Sequence, residues 1–357
     1  MTATTTATAT ATAAPGRPAP TVPPRVGIVL MSALGDVTLG LPVATSLKRA
    51  RPDVTIRWVA QRGPDAIVRG HPAVDEVIPF DRHGGWRAYA DVRRRLAEAP
   101  VDVVLDLQVA IKAGLVTALW PAAEKWGVDR ARARDANWLF TNRKLAPEPR
   151  RHMADQFLEF ARALGADPEP LDYGLAPSAA AIAWRGTAIG AAPYAVLVLA
   201  SSAAHKNWFA DRWAAVARHL VRERGLRIVL AGATSDLERE TAEHIAAAVG
   251  DGVVSALGSG IENLVGLLAG ARLVVSPDTG PLHMAVALGR PVIGLYGSTN
   301  PRWVGPYRSD PALLVDRYGE PGEPYASSPT RRPGRMSLVT VDDVLQRVER
   351  ALGAAAP

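Results

Sequence analysis

The stretch SPDTGPLHMAVALG, residues 276–289, lies between two apolar runs. Ala271–Val275 before it and Val292–Tyr296 after it both read as buried strands. Pro281 suits the first turn of a helix, where its missing N–H costs nothing. Gly280 lets a ligand come close to the backbone. A strand that ends at a helix N-terminus presents free N–H groups and a favourable dipole to an anion. Thr279 adds a hydroxyl, and Asp278 and His283 flank the turn. Such a turn is either a phosphate cradle or an ordinary connection capped by Asp278 or Thr279. Both place it at the carboxyl end of a strand, where open parallel sheets bind ligands.

Outward from this turn, apolar runs alternate with amphipathic stretches. Strands are expected at 26–31, 55–59, 77–80 and 101–107, with helices at 37–50, 64–70, 89–97 and 112–120. An Arg-rich stretch at 121–150 interrupts the rhythm, and a helix at 152–164 follows. Alternation resumes with strands at 195–199 and 227–231 and helices at 211–224 and 237–249. The pattern predicts an α/β chain of two Rossmann-like domains, 25–180 and 190–335, each a parallel sheet covered on both faces. A last helix at 337–352 should start at Thr340 with Asp343 in a capping box.

Composition excludes several classes. The chain has 357 residues, 48% of them hydrophobic and none of them cysteine, so disulfides and thiolate-bound metals are ruled out. No HExxH motif or Asp-rich cluster points to a metal, and no cofactor is expected. The net charge of +6 fits either an anionic partner or a solvated Arg-rich surface. No groove-reading motif suggests nucleic acid. Residues 1–24, rich in Thr, Ala and Pro, should be disordered and lack the apolar core of a secretory signal. No apolar run reaches the ~18 residues of a membrane span. A cytoplasmic protein is expected, with a membrane-surface role open.

Three further stretches carry candidate chemistry. In Ser32–Val37, Asp36 is either a helix-start residue or a general base facing a cleft. Pro42 should kink the following helix or delay its start. The loop lacks the three spaced glycines of a dinucleotide fingerprint. In Ser201–Trp208, Ser202 and Lys206 either face a diphosphate or form a surface loop beside Trp208. The cluster from Lys125 to His152, including Arg134, Arg143 and Lys144, suits either solvent or an acidic substrate.

Residues 25–352 resemble the lipopolysaccharide heptosyltransferases of glycosyltransferase family 9. The resemblance rests on SPDTGPLHMAVALGRPVIGLYGSTNP (276–301), RVGIVLMSALGDVTLGLPVATSLKRARP (25–52), DVVLDLQVAIKAGLV (102–116) and WGVDRARARDANWLFTNRK (126–144). The last is similar to the heptosyltransferase I branch. The resemblance implies a GT-B arrangement, two domains facing a cleft, with the C-terminal helix (336–357) crossing back to the N-terminal domain. It implies inverting transfer of heptose from ADP-heptose to the Kdo region of lipid A. Asp36 matches the family's base, and Lys206 the lysine that neutralises the leaving diphosphate. Ser202, Asp278, Thr279, Gly280 and His283 fall at the donor site. Arg134, Arg143 and Lys144 are implied for the acidic acceptor, with peripheral contact at the inner membrane. The chain departs from the family pattern at Ser201–His205, in the N-terminal tail and at 331–335. Alternatives are a sugar-nucleotide epimerase of the same architecture and a non-catalytic sugar-nucleotide- or lipid-binding protein.

Overall fold

The computed structural model describes residues 21–353. Residues 1–20 of the expected disordered tail lie outside them. The packed chain begins before Arg25: Val22 is buried, and its carbonyl accepts from Arg51 Nη1 (3.0 Å).

The first half runs β1 (Arg25–Val29), α1 (Leu34–Ala50), β2 (Thr55–Gln61), α2 (Asp65–Val68), β3 (Glu76–Phe80), α3 (Gly85–Glu98), β4 (Val103–Asp106), α4 (Ile111–Leu119), β5 (Glu124–Gly127), β6 (Arg143–Lys144) and α5 (Met153–Ala163). The second runs α6 (Ala179–Ile189), β7 (Tyr194–Val198), α7 (Ala210–Arg224), β8 (Arg227–Ala231), α8 (Asp236–Val249), β9 (Val253–Ser255), α9 (Ile261–Gly270), β10 (Leu273–Pro277), α10 (Gly280–Ala287), β11 (Val292–Tyr296), α11 (Pro301–Val304), β12 (Val315–Asp316) and α12 (Val341–Leu352). The first sheet has the order β3-β2-β1-β4-β5-β6 and the second β12-β11-β10-β7-β8-β9. All these pairings are parallel. Numbered within its own half, each sheet has the same doubly wound order. The order in which strands are added therefore reverses between β1 and β4, and between β7 and β10, and crevices open at those carboxyl ends.

Strand side chains alternate between two buried faces, as a covered parallel sheet requires. In β1, Val26 and Ile28 point into one core and Val29 into another. In β7, Val196 and Val198 face the first of these cores, while Ala195 and Leu197 face the outer layer of the second half. One continuous apolar core thus runs from the inner face of the first sheet through α1 and α10 to the inner face of the second.

Several expectations change. α1 begins at Leu34 and continues through Pro42 rather than starting after it. The helix is buried from Val37 to Leu47, and packing on all sides outweighs the proline's cost of ~3 kcal/mol. Thr45 and Ser46 hydroxyls donate to the Pro42 carbonyl (3.1 and 2.5 Å). The stretch between the two expected domains, 181–189, is not a bare connection: it lies in α6, capped by Ser178 and packed on α9. β5 and β6 lie in the Arg-rich interruption; both are short and polar, so no apolar run marks them.

The C-terminal helix does not cross back. α12 has the expected Thr340–Asp343 capping box but packs on α7. Val344 and Val348 are buried in the second half's outer core with Trp213 and Leu220. The cause lies upstream: Val339 accepts from Trp208 Nε1 (2.9 Å), which fixes the helix start over the second domain. Glu349 then pairs with Arg224 and His219 of α7.

Behind the cleft the halves are tied by polar contacts. His152 caps α5, its Nε2 lies 3.0 Å from the Gly305 carbonyl, and its ring stacks on Tyr307. Tyr307 donates to Asp155 (2.5 Å), and Arg308 grips Glu169 with two bonds (2.9 and 2.6 Å). Burial pushes the His152 imidazole down to about 4; the Gly305 carbonyl and Asp155 oppose this, and His283 adds to it. The unfolded chain then binds a proton between about pH 6.5 and 4 that the folded chain does not. Stability should be fully present above pH 6.5 and fall by roughly 3 kcal/mol as pH drops toward 4. Denaturant midpoints across this range should drop for the wild type and stay flatter for His152→Gln; parallel curves would refute the assignment.

Candidate functional site

The site forms where the two crevices meet. At the first, β1 runs into Ser32 and Ala33, and α1 starts at Leu34. Asp36 sits in the first turn and accepts from the Ala33 N–H (3.0 Å), so the helix-start reading of this residue holds locally. Gln108, beyond β4, clamps the same loop. It accepts from the Met31 N–H (2.8 Å) and donates to Ser32 Oγ (3.2 Å). Beneath lies Asp106, fully buried, accepting from Asn137 (2.9 Å) and pushed by burial up to about 7. At the second crevice, β10 runs into Asp278, Thr279 stands at the N-cap position of α10 without a side-chain capping bond, and Pro281 occupies its first turn.

The two helix starts touch. A Cβ on Gly35 would come 2.7 Å from His283 Cδ2, and one on Gly280 would come 2.7 Å from Leu34 Cβ. Gly280 lines the cleft and also admits the close approach of α1 of the other domain. Only hydrogen at both positions lets α1 and α10 meet this closely.

Charges converge at this junction. Lys206 Nζ lies 2.7 Å from Asp278 Oδ2, and His283 Nε2 lies 3.7 Å from Asp278 Oδ1. Asp278 is buried, which opposes ionisation, yet His283 and Lys206 outweigh burial and hold its carboxyl at about 2. Asp36 is half-buried at the surface of the cleft. Desolvation pushes its carboxyl above the ordinary aspartate value, although the Ala33 amide, His283 and Lys206 pull it down. One carboxyl is thus kept ionised by partners, and the other is made more basic by its surroundings.

Between the domains lies a cleft of about 870 Å³. Asp36 and Arg134 line it from the first domain, and Ser202, Lys206, Asp278, Thr279 and Gly280 from the second. His283 is buried beneath this wall. Arg143 and Lys144 do not line it: β6 is the edge strand of the first sheet, Arg143 pairs with Glu124 (2.8 Å), and Lys144 Nζ donates to the Trp138 and Thr141 carbonyls (2.6 and 2.5 Å). Arg132, in the same basic cluster, is buried between Asp129 and Glu159 (2.6 Å each) and serves the fold.

Glu238, Asn300 and Arg331 are among the lining residues that the sequence reading did not single out. Glu238 accepts from the Ala233 N–H (2.8 Å) and closes a capping box with Ser235. The signal Ser235-Asp-Leu-Glu238 was visible, but it marks a helix start rather than a site. Asn300 caps α11, and Asn-Pro at 300–301 gives the same kind of signal. Among the described residues, no group of His, Asp and Glu is arranged to hold a metal ion.

Comparison with known proteins decides the family. The model of glycosyltransferase family 9 (heptosyltransferase) matches residues 89–321. The chain belongs to this family. Lipopolysaccharide heptosyltransferase 1 of Pseudomonas aeruginosa is 33% identical, over 79% of this chain and 81% of that protein. Lipopolysaccharide core heptosyltransferase OpsX of Haemophilus influenzae is 27% identical, over 92% and 97%. The E. coli heptosyltransferase WaaC, solved with ADP, superposes with a TM-score of 0.74 at 30% identity, over 92% of this chain and 99% of that one; it has also been solved with ADP-2-deoxy-2-fluoro heptose. The family 9 chain is therefore a glycosyltransferase of the GT-B fold, and the epimerase reading is not favoured.

The helix contact in this glycosyltransferase gives a direct test. Gly35→Ala should lower stability by about 1–3 kcal/mol through overpacking. Adding His283→Ala should recover part of that loss, because the new methyl then meets space. Strictly additive melting shifts in the double-mutant cycle would mean the two residues do not press on each other.

Proposed function

We propose that this heptosyltransferase moves a heptose from ADP-heptose to the Kdo region of lipid A during lipopolysaccharide core synthesis. The observation that carries the reading is a single cleft with Asp36 on one wall and, on the other, Lys206, Asp278 and the N-terminus of α10. The named relatives are lipopolysaccharide heptosyltransferases, and WaaC has been solved with ADP.

In this mechanism an acceptor hydroxyl oxygen attacks the anomeric carbon in one displacement. A C–O bond forms as the bond to the diphosphate breaks, and configuration inverts. The hydroxyl proton passes to Asp36, and the electron pair of the broken bond leaves with ADP. Lys206 and the N–H groups of Thr279 and Gly280 face that developing charge, which fixed dipoles stabilise without reorganisation. Ser202 adds a hydroxyl on the same wall. His283 and Asp278 act behind Lys206, holding its position. Arg134, exposed at the cleft's first-domain wall, faces a carboxylate or phosphate of the acceptor.

Asp36→Ala should cut transfer from ADP-heptose to Kdo-lipid A by a hundredfold or so, the scale of a lost general base. Activity within a few-fold of wild type would remove Asp36 from the base role. Because its carboxyl is raised by desolvation, the acidic limb of kcat/KM should rise with pH around a value above that of an ordinary aspartate. A limb at or below the ordinary value would contradict the buried-base account.

We further place the protein at the cytoplasmic face of the inner membrane as a peripheral enzyme. Among the described residues, no helix is long and apolar enough to cross a membrane. Trp86, Leu139 and Ile111 are nevertheless 76%, 61% and 43% exposed. Leu139 sits on a 3-10 turn that packs beside α4, which carries Ile111 and Lys112. Apolar tips among cations suit an anionic bilayer. Sedimentation with phosphatidylglycerol vesicles should weaken with added salt and weaken further in Leu139→Ser with Ile111→Ser. Equal binding to neutral vesicles at all salt concentrations would count against this placement.

A further inference from the structure

The segment between β12 and α12 returns along the cleft as a pinned strap. Arg332 grips Glu323 with two bonds (2.7 and 2.6 Å), and Arg335 bonds Glu320 (2.5 Å) and the carbonyls of Arg317 and Gly319 (2.7 and 2.8 Å). Asn300 donates to the Ala326 carbonyl (2.8 Å), and Tyr318 to that of Thr330 (3.2 Å). An isolated antiparallel bridge joins Thr299 to Arg331, and the Arg332 amide donates to the Ser298 carbonyl (2.9 Å). Ser298 in turn donates to the carbonyl of His205, next to Lys206. The backbone of Arg331 is therefore fixed beside the Lys206 loop.

The side chain of Arg331 is treated differently from its neighbours. Arg332 and Arg335 are each satisfied by a carboxylate. Arg331 is exposed, lines the cleft, and has no ion pair or side-chain hydrogen bond among the described residues. Its charge reaches the Lys206 loop: it helps depress the His205 imidazole, after burial. Lys206, by contrast, is already paired with Asp278. The Lys206–Asp278 pair carries little net charge, whereas a departing nucleoside diphosphate bears several negative oxygens. A free guanidinium on the same wall can meet two of those oxygens at once.

We propose that Arg331 is a phosphate-binding residue for the departing nucleoside diphosphate, supplying the net positive charge that the Lys206–Asp278 pair does not. This rests on the donor reading above and names a residue for that site. The strap's ion pairs hold the Arg331 backbone in place before substrate arrives, so only the side chain is left to order on binding.

Calorimetric titration of ADP and AMP into wild type, Arg331→Ala and Arg331→Lys tests the assignment, with UDP and GDP as further nucleotides. Arg331→Ala should weaken ADP binding by about tenfold and AMP binding less, since the lost contact is to the diphosphate. Arg331→Lys should retain part of the affinity, and melting temperatures should not move, because the side chain has no partner to lose. ADP affinity within twofold of wild type in Arg331→Ala would overturn the proposal, as would a rise in acceptor KM alone. Wild type that binds UDP or GDP but not ADP would overturn the ADP-heptose reading, and the same variants titrated with that nucleotide would then judge Arg331. Wild type that binds none of them would overturn both.

Discussion

The contact of α1 with α10, helix start against helix start, is the constraint on which the rest depends. Two domains built on the same strand order must each direct a crevice toward the other if a cleft is to form. Gly35 and Gly280 make this possible by leaving room for His283 and Leu34. Side chains at these positions would separate the helices by the width of a methyl group. That separation would move Asp36 away from the wall that carries Lys206 and Thr279. The apolar core is continuous through this junction, so the same contact that sets the site also joins the domains.

Electrostatics at the junction divides labour between two aspartates. Asp278 lies between Lys206 and His283 and stays ionised, which holds Lys206 in place. Asp36 lacks so close a cation and sits where water is partly excluded, so its affinity for a proton rises. A base must be ionised at working pH yet basic enough to take a proton from a hydroxyl, and desolvation pushes in that direction. Burial raises Asp36, whereas at Asp278 the neighbouring His283 and Lys206 overturn the effect of burial.

Much of this arrangement was legible in the chain. Continuous apolar runs between amphipathic stretches marked the alternating elements, and Gly-Pro after a strand marked the α10 start. The Thr340–Asp343 capping box was read correctly to the residue. Other features had no local signal. β5 and β6 take their strand state from neighbours rather than from apolar residues. α1 passes through Pro42 because burial on both sides overrides propensity, which sequence cannot weigh. The direction of α12 is decided by a bond from Trp208 to Val339, between residues far apart in the chain. Within the site, Asp36, Lys206 and the turn at 278–280 were found because each follows a strand. Arg143 and Lys144 were grouped with Arg134 by proximity in sequence, but the edge position of β6 separates them in space.

Arginine shows most clearly why composition could not locate the anion site. The basic balance of the chain, +6, arises from residues with very different fates. Arg132 is consumed by Asp129 and Glu159 in the fold, Arg143 by Glu124 at a sheet edge, and Arg332 and Arg335 by the strap. A cation whose field is cancelled within hydrogen-bond distance offers little to a ligand beyond the screening length. What recruits an anion is the cation left unpaired on a concave wall, where low-dielectric surroundings extend its reach. Arg134 stands exposed on one wall of this cleft with only a long contact to Asp135, and Arg331 stands on the other. The two domains thus each bring an exposed arginine to the cleft: Arg134, paired only with its chain neighbour Asp135, on the side of Asp36, and Arg331, with no ion pair among the described residues, on the side of Lys206.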